Sequence, residues 1–349
     1  MKQKLKKIYN ASILLIGVAL LIYLCVSENG LFDLARHIGS LQAGWLALAF
    51  VGMLGELLLD AFLIYRFTRL SHRRYTLRHA LRSGMTGHFY SAITPFQTGG
   101  QPMQVFFMSR QGVDPGVSTA ALIQKFLVYQ SCLTAYSAFA ILACFPLFSG
   151  RVGAGLWGLA FAGFFLQAAI IAALVLFSFS RRLTRRLLRF ICRLLQRLHF
   201  LSDAANTARQ WESHLDAYHT CNRQLLRHKL FLLRACLLTV VQLTCLFSVS
   251  YSIYRAFGFV QATALEMLCA QAFVTMLVSV VPLPGAAGAS EGGFYVFFSL
   301  FFTAGTVKSA TAIWRFITYY AVILITAPFS FLRKTDKKVI GEKQDENEP

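Results

Sequence analysis

Charge is scarce in this chain: of 349 residues only 14% are Asp, Glu, Lys or Arg, and just 15 are acidic. Soluble domains carry about a quarter of their residues as charges, so an ordinary water-soluble fold is excluded. Polar sequence is scarce as well. The only sizeable polar stretch, 201–229, is too short to build an independent catalytic domain. The eight cysteines (Cys25, Cys132, Cys144, Cys192, Cys221, Cys236, Cys245, Cys269) include no C-x-x-C pair and no histidine at ligand spacing, so no metal site, cofactor motif or disulfide framework is legible. A cleavage signal is missing too. Lys2, Lys4, Lys6 and Lys7 precede the run Ile8 to Val26, but Ser27-Glu28-Asn29 follows without a small-x-small site, which predicts a retained first helix.

What the chain does have is apolar sequence. It is 56% hydrophobic with a mean hydropathy of +0.55, and it contains several runs of roughly 20 apolar residues, the length a helix needs to cross a bilayer. The predicted fold class is an all-α polytopic membrane protein. A net charge of +19, from 34 Lys and Arg against 15 Asp and Glu, would suggest nucleic acid in a soluble protein. Here the basic residues cluster between apolar runs, where they orient helices and meet anionic phospholipid. No nucleic-acid partner is therefore expected.

Basic loops face the cytoplasm, and this rule sets the topology. Helix one, about Ile8 to Val26, starts inside. Helix two, about Ala43 to Tyr65, returns to a stretch containing Arg66, Arg69, Arg73, Arg74, Arg78 and Arg82. Helix three spans about Val117 to Phe145, a turn is expected around Pro146 to Gly153, and helix four runs from about Ala154 to Phe179. Residues 181–200 read as a basic amphipathic helix on the inner leaflet, with Leu183, Leu187, Ile191, Leu194 and Leu198 at helical spacing. Helix five is about Leu230 to Phe257 and helix six about Lys308 to Phe331. Residues 1–331 thus form one transmembrane domain, with 181–229 as a cytoplasmic connection and 332–349 as a charged cytoplasmic tail. Both termini are predicted inside.

Two apolar stretches are broken, at Thr94-Pro95-Phe96-Gln97-Thr98-Gly99-Gly100-Gln101-Pro102 and at Pro282-Leu283-Pro284-Gly285-Ala286-Ala287-Gly288-Ala289-Ser290-Glu291. Irregular backbone at membrane depth is tolerated only where protein buries it or where it lines a wet cavity. The flanks of 83–108 are both basic, so it reads as a re-entrant pair from the cytoplasm, while 262–304 enters and leaves from outside. Helix two, broken segment, helix three then recurs inverted as helix five, broken segment, helix six, and such repeats place a transport site at their centre.

Charges inside spans cost several kcal/mol unless they face protein or water. Glu56 and Asp60 lie four apart on one helix face. Lys125, Glu291 and Arg315 are the other intramembrane charges, and Gln97, Gln101, Gln104 and Gln124 add neutral polar groups. Two readings stand for each: lining a cavity, or a packing role, with Glu56 and Asp60 near a helix end and Lys125 snorkelling to the interface. Half-helix starts after Gly99-Gly100 and after Gly288, beside Gly285, offer backbone N–H groups to a phosphate. Cations and carboxylates together suit a zwitterionic or aminoacylated phospholipid.

Thr94-Pro95 with Gly99-Gly100-Gln101-Pro102, then Pro282-x-Pro284-Gly285-x-x-Gly288-x-x-Glu291, then Arg315 with Tyr319 and Tyr320 ahead of Pro328 resemble the membrane region of lysylphosphatidylglycerol synthases, the multiple peptide resistance factor family. The resemblance covers roughly 8–331. It implies a flippase of the bacterial inner membrane that carries lysyl-phosphatidylglycerol, or another polar-headgroup lipid, outward and so confers resistance to cationic antimicrobial peptides. In that family a separate cytosolic domain makes the lipid, and this chain stops just past helix six. The expectation is translocation without synthesis, with a separate synthase as partner and oligomers allowed. The alternatives are phosphatidylglycerol lysyltransferase activity and an accessory role beside a synthase.

Overall fold

The computed structural model describes residues 39, 41–150, 153–179, 228–281, 283–286 and 288–330. The expected first helix, the amphipathic connection at 181–200 and the tail at 332–349 lie outside the described residues. Every regular element among those described is helical: α1 (Ala43–Ser71), α2 (Leu77–Ile93), α3 (Gly100–Arg110), α4 (Pro115–Ser149), α5 (Ala154–Phe179), α6 (Lys229–Ala256), α7 (Ala264–Val278), α8 (Ala289–Phe298), α9 (Val307–Arg315) and α10 (Ala321–Thr326). A π-helical segment, Phe316–Tyr320, joins α9 to α10 without a break, so 307–330 makes one span. With α1, α4, α5 and α6 it completes five helices, among the described residues, long and apolar enough to cross a bilayer. The chain is an all-α polytopic membrane protein.

Helix α1 shows why a membrane span needs no amphipathic stripe. Met53, Glu56, Leu57, Asp60, Ala61 and Ile64 recur every three or four residues and are buried, while Leu48, Val51, Leu54 and Leu58 on the other side are exposed. Both faces are largely apolar because one solvent is protein and the other is lipid. The same exposed apolar surface runs along α6 at Leu230, Leu233, Leu237 and Val241. In water that surface would drive aggregation; in a bilayer it is the solvated face.

Asp114 caps α4, its carboxylate accepting from the N–H groups of Gly116 and Val117, with Pro115 pre-set for the first turn. At the other end, the connection falls within the expected range of Pro146 to Gly153 but begins later than Pro146, with α5 opening at Ala154. The helix carries Pro146 internally and ends only at Ser149. Proline lacks a donor and crowds the preceding turn, but a membrane bundle can absorb this by packing, and Phe148 beside it is fully buried against Phe273 at 5.3 Å.

The broken segments are helical hairpins whose legs are too short to span alone. In the first, α2 and α3 meet at two glycines. A Cβ on Gly87 would strike the Gln104 side chain, and one on Gly100 would strike Ser91 Oγ and lie 2.8 Å from the Gly87 carbonyl oxygen. In the second, α7 and α8 pack together, α7 opening on a Thr263–Glu266 capping box. Each hairpin turns through a short 3₁₀ segment, Pro95–Gln97 and Pro284–Ala286, and the two turns touch each other. The order long helix, broken hairpin, long helix therefore occurs twice, and the leading helices of the two halves, α1 and α6, lie packed along each other.

Candidate functional site

Beside the two turns the bundle holds two adjoining, partly open cavities, of about 270 and 150 Å³, which share Glu56, His88, Ser91, Gln97 and Tyr129 in their walls. The larger reaches Gly285, Ser290, Arg315 and Tyr319 of the second half. The smaller reaches Asp60, Lys125, Gly100, Gln101 and Gln104. Each cavity has its own charged cluster.

At the smaller cavity, Lys125 Nζ of α4 donates to Asp60 Oδ1 of α1 at 2.5 Å. Lys125 therefore does not snorkel to the interface; it answers a carboxylate in the bundle interior. Gln242 Nε2 of α6 donates to Glu56 Oε1 at 3.1 Å and to Asp60 Oδ1 at 3.3 Å. Both carboxylate residues are only 5% exposed, and Gln242 only 1%. His88 of α2 faces the same group, its Nε2 3.4 Å from Asp60 Oδ2. Four helices thus converge on one polar centre, and only the Glu56–Asp60 relation is visible in sequence, since four residues are one helical turn.

At the larger cavity, Arg315 Nε lies 2.6 Å from Glu291 Oε1. A second guanidinium nitrogen donates to the Gly285 carbonyl at 2.8 Å, and the group sits 4.1 Å from the Tyr319 ring centre. Glu291 also caps α8, its Oε2 accepting the Gly288 N–H at 2.7 Å. The turn needs this clamp because its backbone is left-handed at Gly285 (φ +57°), Ala286 (+48°) and Gly288 (+81°). At Gly285 a Cβ would also run into the Tyr319 ring. The first turn is left-handed at Phe96 (+51°) and Gln97 (+57°), and Thr94 Oγ1 accepts the Gly99 N–H at 2.9 Å to close it. Tyr319 links the halves directly, its hydroxyl donating to the Ala92 carbonyl at 3.0 Å.

The residues expected from sequence divide accordingly. Glu56, Asp60, Gln97, Gly100, Gln101, Lys125, Gly285 and Arg315 line the cavities. Glu291 acts through Arg315. Gly99 and Gly288 shape the turns, neither of them in a cavity wall. His88, Ser91, Tyr129 and Gln242 were missed: α2 is polar along much of its length, so His88 and Ser91 do not stand out in it, and Tyr129 and Gln242 carry no charge to mark them.

The fold and the site together define a polytopic membrane protein in which two helical breaks face each other beside cavities lined by charged side chains. Residues 11–326 match the family described as "Lysylphosphatidylglycerol synthase TM region", and the chain belongs to that family, which ties it to lipid metabolism. It is also similar to a "UPF0104 membrane protein" of Archaeoglobus fulgidus, 26% identical over 302 residues, covering 82% of this chain and 86% of the relative.

Proposed function

We propose that this chain is a phospholipid translocase in which the headgroup crosses through the joined cavities while the acyl chains stay in the bilayer. The observation that carries the reading is the meeting of the two left-handed turns beside cavities that hold cations and carboxylates together. Helix α3 starts at Gly100 in the cavity wall with no side-chain cap, so its first N–H groups and its dipole are available to a phosphate oxygen. Glu56 and Asp60 with Lys125 and Arg315 bring both signs of charge to the cavity walls, which suits a headgroup carrying both a phosphate and an ammonium, lysyl-phosphatidylglycerol among them. The proposed setting is a bacterial inner membrane with both termini cytoplasmic, where outward movement of a cationic lipid weakens the surface field that draws cationic peptides.

The test is reconstitution of the purified chain into liposomes carrying lysyl-phosphatidylglycerol in one leaflet, followed by an impermeant amine reagent. Exchange between leaflets faster than in empty liposomes is expected. In cells that lack aminoacylated lipids, the chain alone should make none; beside an isolated synthase domain it should leave the total unchanged and raise the outer-leaflet share. Lysyl-phosphatidylglycerol formed by the chain alone would overturn the reading in favour of the transferase.

A further inference from the structure

We propose that Glu56, Asp60 and His88, in the cavity walls that the lipid reading also uses, form a binding site for a divalent transition-metal ion, whose occupancy can be measured without any lipid moving. Their ligand atoms lie within 4.8 Å of one another at the junction of the two cavities. Glu56 Oε2 is buried with no hydrogen-bond partner, while Asp60 Oδ2 and His88 Nε2, buried as well, face each other at 3.4 Å. A buried carboxylate oxygen without a partner costs free energy and needs an explanation.

The opposite oxygen of each carboxylate is engaged, Glu56 Oε1 by Gln242 and Asp60 Oδ1 by Gln242 and Lys125. One oxygen of each is held and the other presented, the arrangement that outer groups impose on metal ligands. His88 Nε2 and Asp60 Oδ2 are 3.4 Å apart but not aligned as donor and acceptor. Two ligands bonded to one ion at about 2.0–2.2 Å and a tetrahedral angle stand about 3.4 Å apart. Glu56 needs a shift of roughly 1 Å to complete the same shell.

Charge supports an ion as well. Glu56 and Asp60 bring two carboxylates, which Lys125 answers with one positive charge and His88 with a second when protonated, so an ion that takes His88 as a neutral ligand replaces that proton. A divalent ion leaves one net positive charge at the cavity that also receives the start of α3. An anionic oxygen, from water or a phosphodiester, is the ligand that charge would take. One imidazole and two carboxylates favour a first-row transition ion over Mg²⁺ or Ca²⁺, and Zn²⁺, redox-inert and without a geometric preference of its own, is the probe.

The experiment uses the full chain in detergent, stripped with chelator and titrated with Zn²⁺, with retained metal counted after gel filtration. One ion per chain is expected, with affinity lowered at least 10-fold in His88→Ala and Glu56→Gln, and unchanged in Glu291→Gln, whose carboxylate belongs to the other cluster. X-ray absorption at the zinc edge of the wild-type chain gives a readout that needs no variant: nitrogen and oxygen neighbours including one imidazole, and no sulfur. No retained zinc, equal retention in all variants, or sulfur ligation from the cysteines would each overturn the proposal. If His88→Ala or Glu56→Gln elutes as aggregate, the absorption spectrum alone decides.

Discussion

Removing Arg315 should break the second turn before it affects anything that passes through the cavity. Arg315→Ala deletes the ion pair at 2.6 Å, the bond to the Gly285 carbonyl at 2.8 Å and the contact with the Tyr319 ring. It also leaves the largely buried Glu291 side chain without its cation. Breaking a buried pair from one side costs about 3–5 kcal/mol. Glu291→Gln is milder: the amide oxygen can still accept the Gly288 N–H, so about 1–3 kcal/mol is expected, mainly from the unanswered guanidinium. In the double variant neither charge is stranded, and its cost should fall short of the sum by about 1–3 kcal/mol. Reversible unfolding in mixed micelles, followed by circular dichroism on the four proteins of the cycle, measures that coupling. Additive losses would refute the clamp, as would Arg315→Ala within about 1 kcal/mol of wild type. Exchange of lipid between leaflets, assayed on the same proteins, separates turn stability from cavity chemistry: the double variant should recover more stability than activity.

Two further outcomes follow from the same geometry. In a cysteine-free background, Gln101→Cys should resist an impermeant thiol reagent added outside cells and react in inverted vesicles, while Leu283→Cys, exposed on the second turn, should show the opposite; matching patterns would end the inverted-repeat topology. Gly163→Ala should destabilise the bundle by about 1–3 kcal/mol, because a Cβ there meets the backbone carbonyl of Met276, whereas Gly158→Ala, with open space around it, should melt like wild type.

Much of the architecture was legible because membrane helices are specified locally. Apolar runs marked α1, α4, α5, α6 and the final span to within a few residues, and Pro with Gly marked both broken segments. The later end of α4, past Pro146, has a physical source. Proline ends helices in water, where nothing compensates the lost bond, but inside a bundle the packing of Phe148 outweighs it. The candidate residues were legible as well, since a charge in an apolar run stands out whatever it touches.

The sequence by itself determined the membrane class, the breaks and the relations within one helical turn: Glu56 with Asp60, and Glu291 capping its own helix at Gly288. Only the tertiary structure decided which charges meet. Lys125 reaches Asp60 across 65 positions and Gln242 reaches Glu56 across 186, while Arg315 closes on a turn 30 residues upstream. Local spacing fixes a side chain's angle around its own helix, but the partner on a neighbouring helix depends on how the helices cross, and that is set by the sum of their packing.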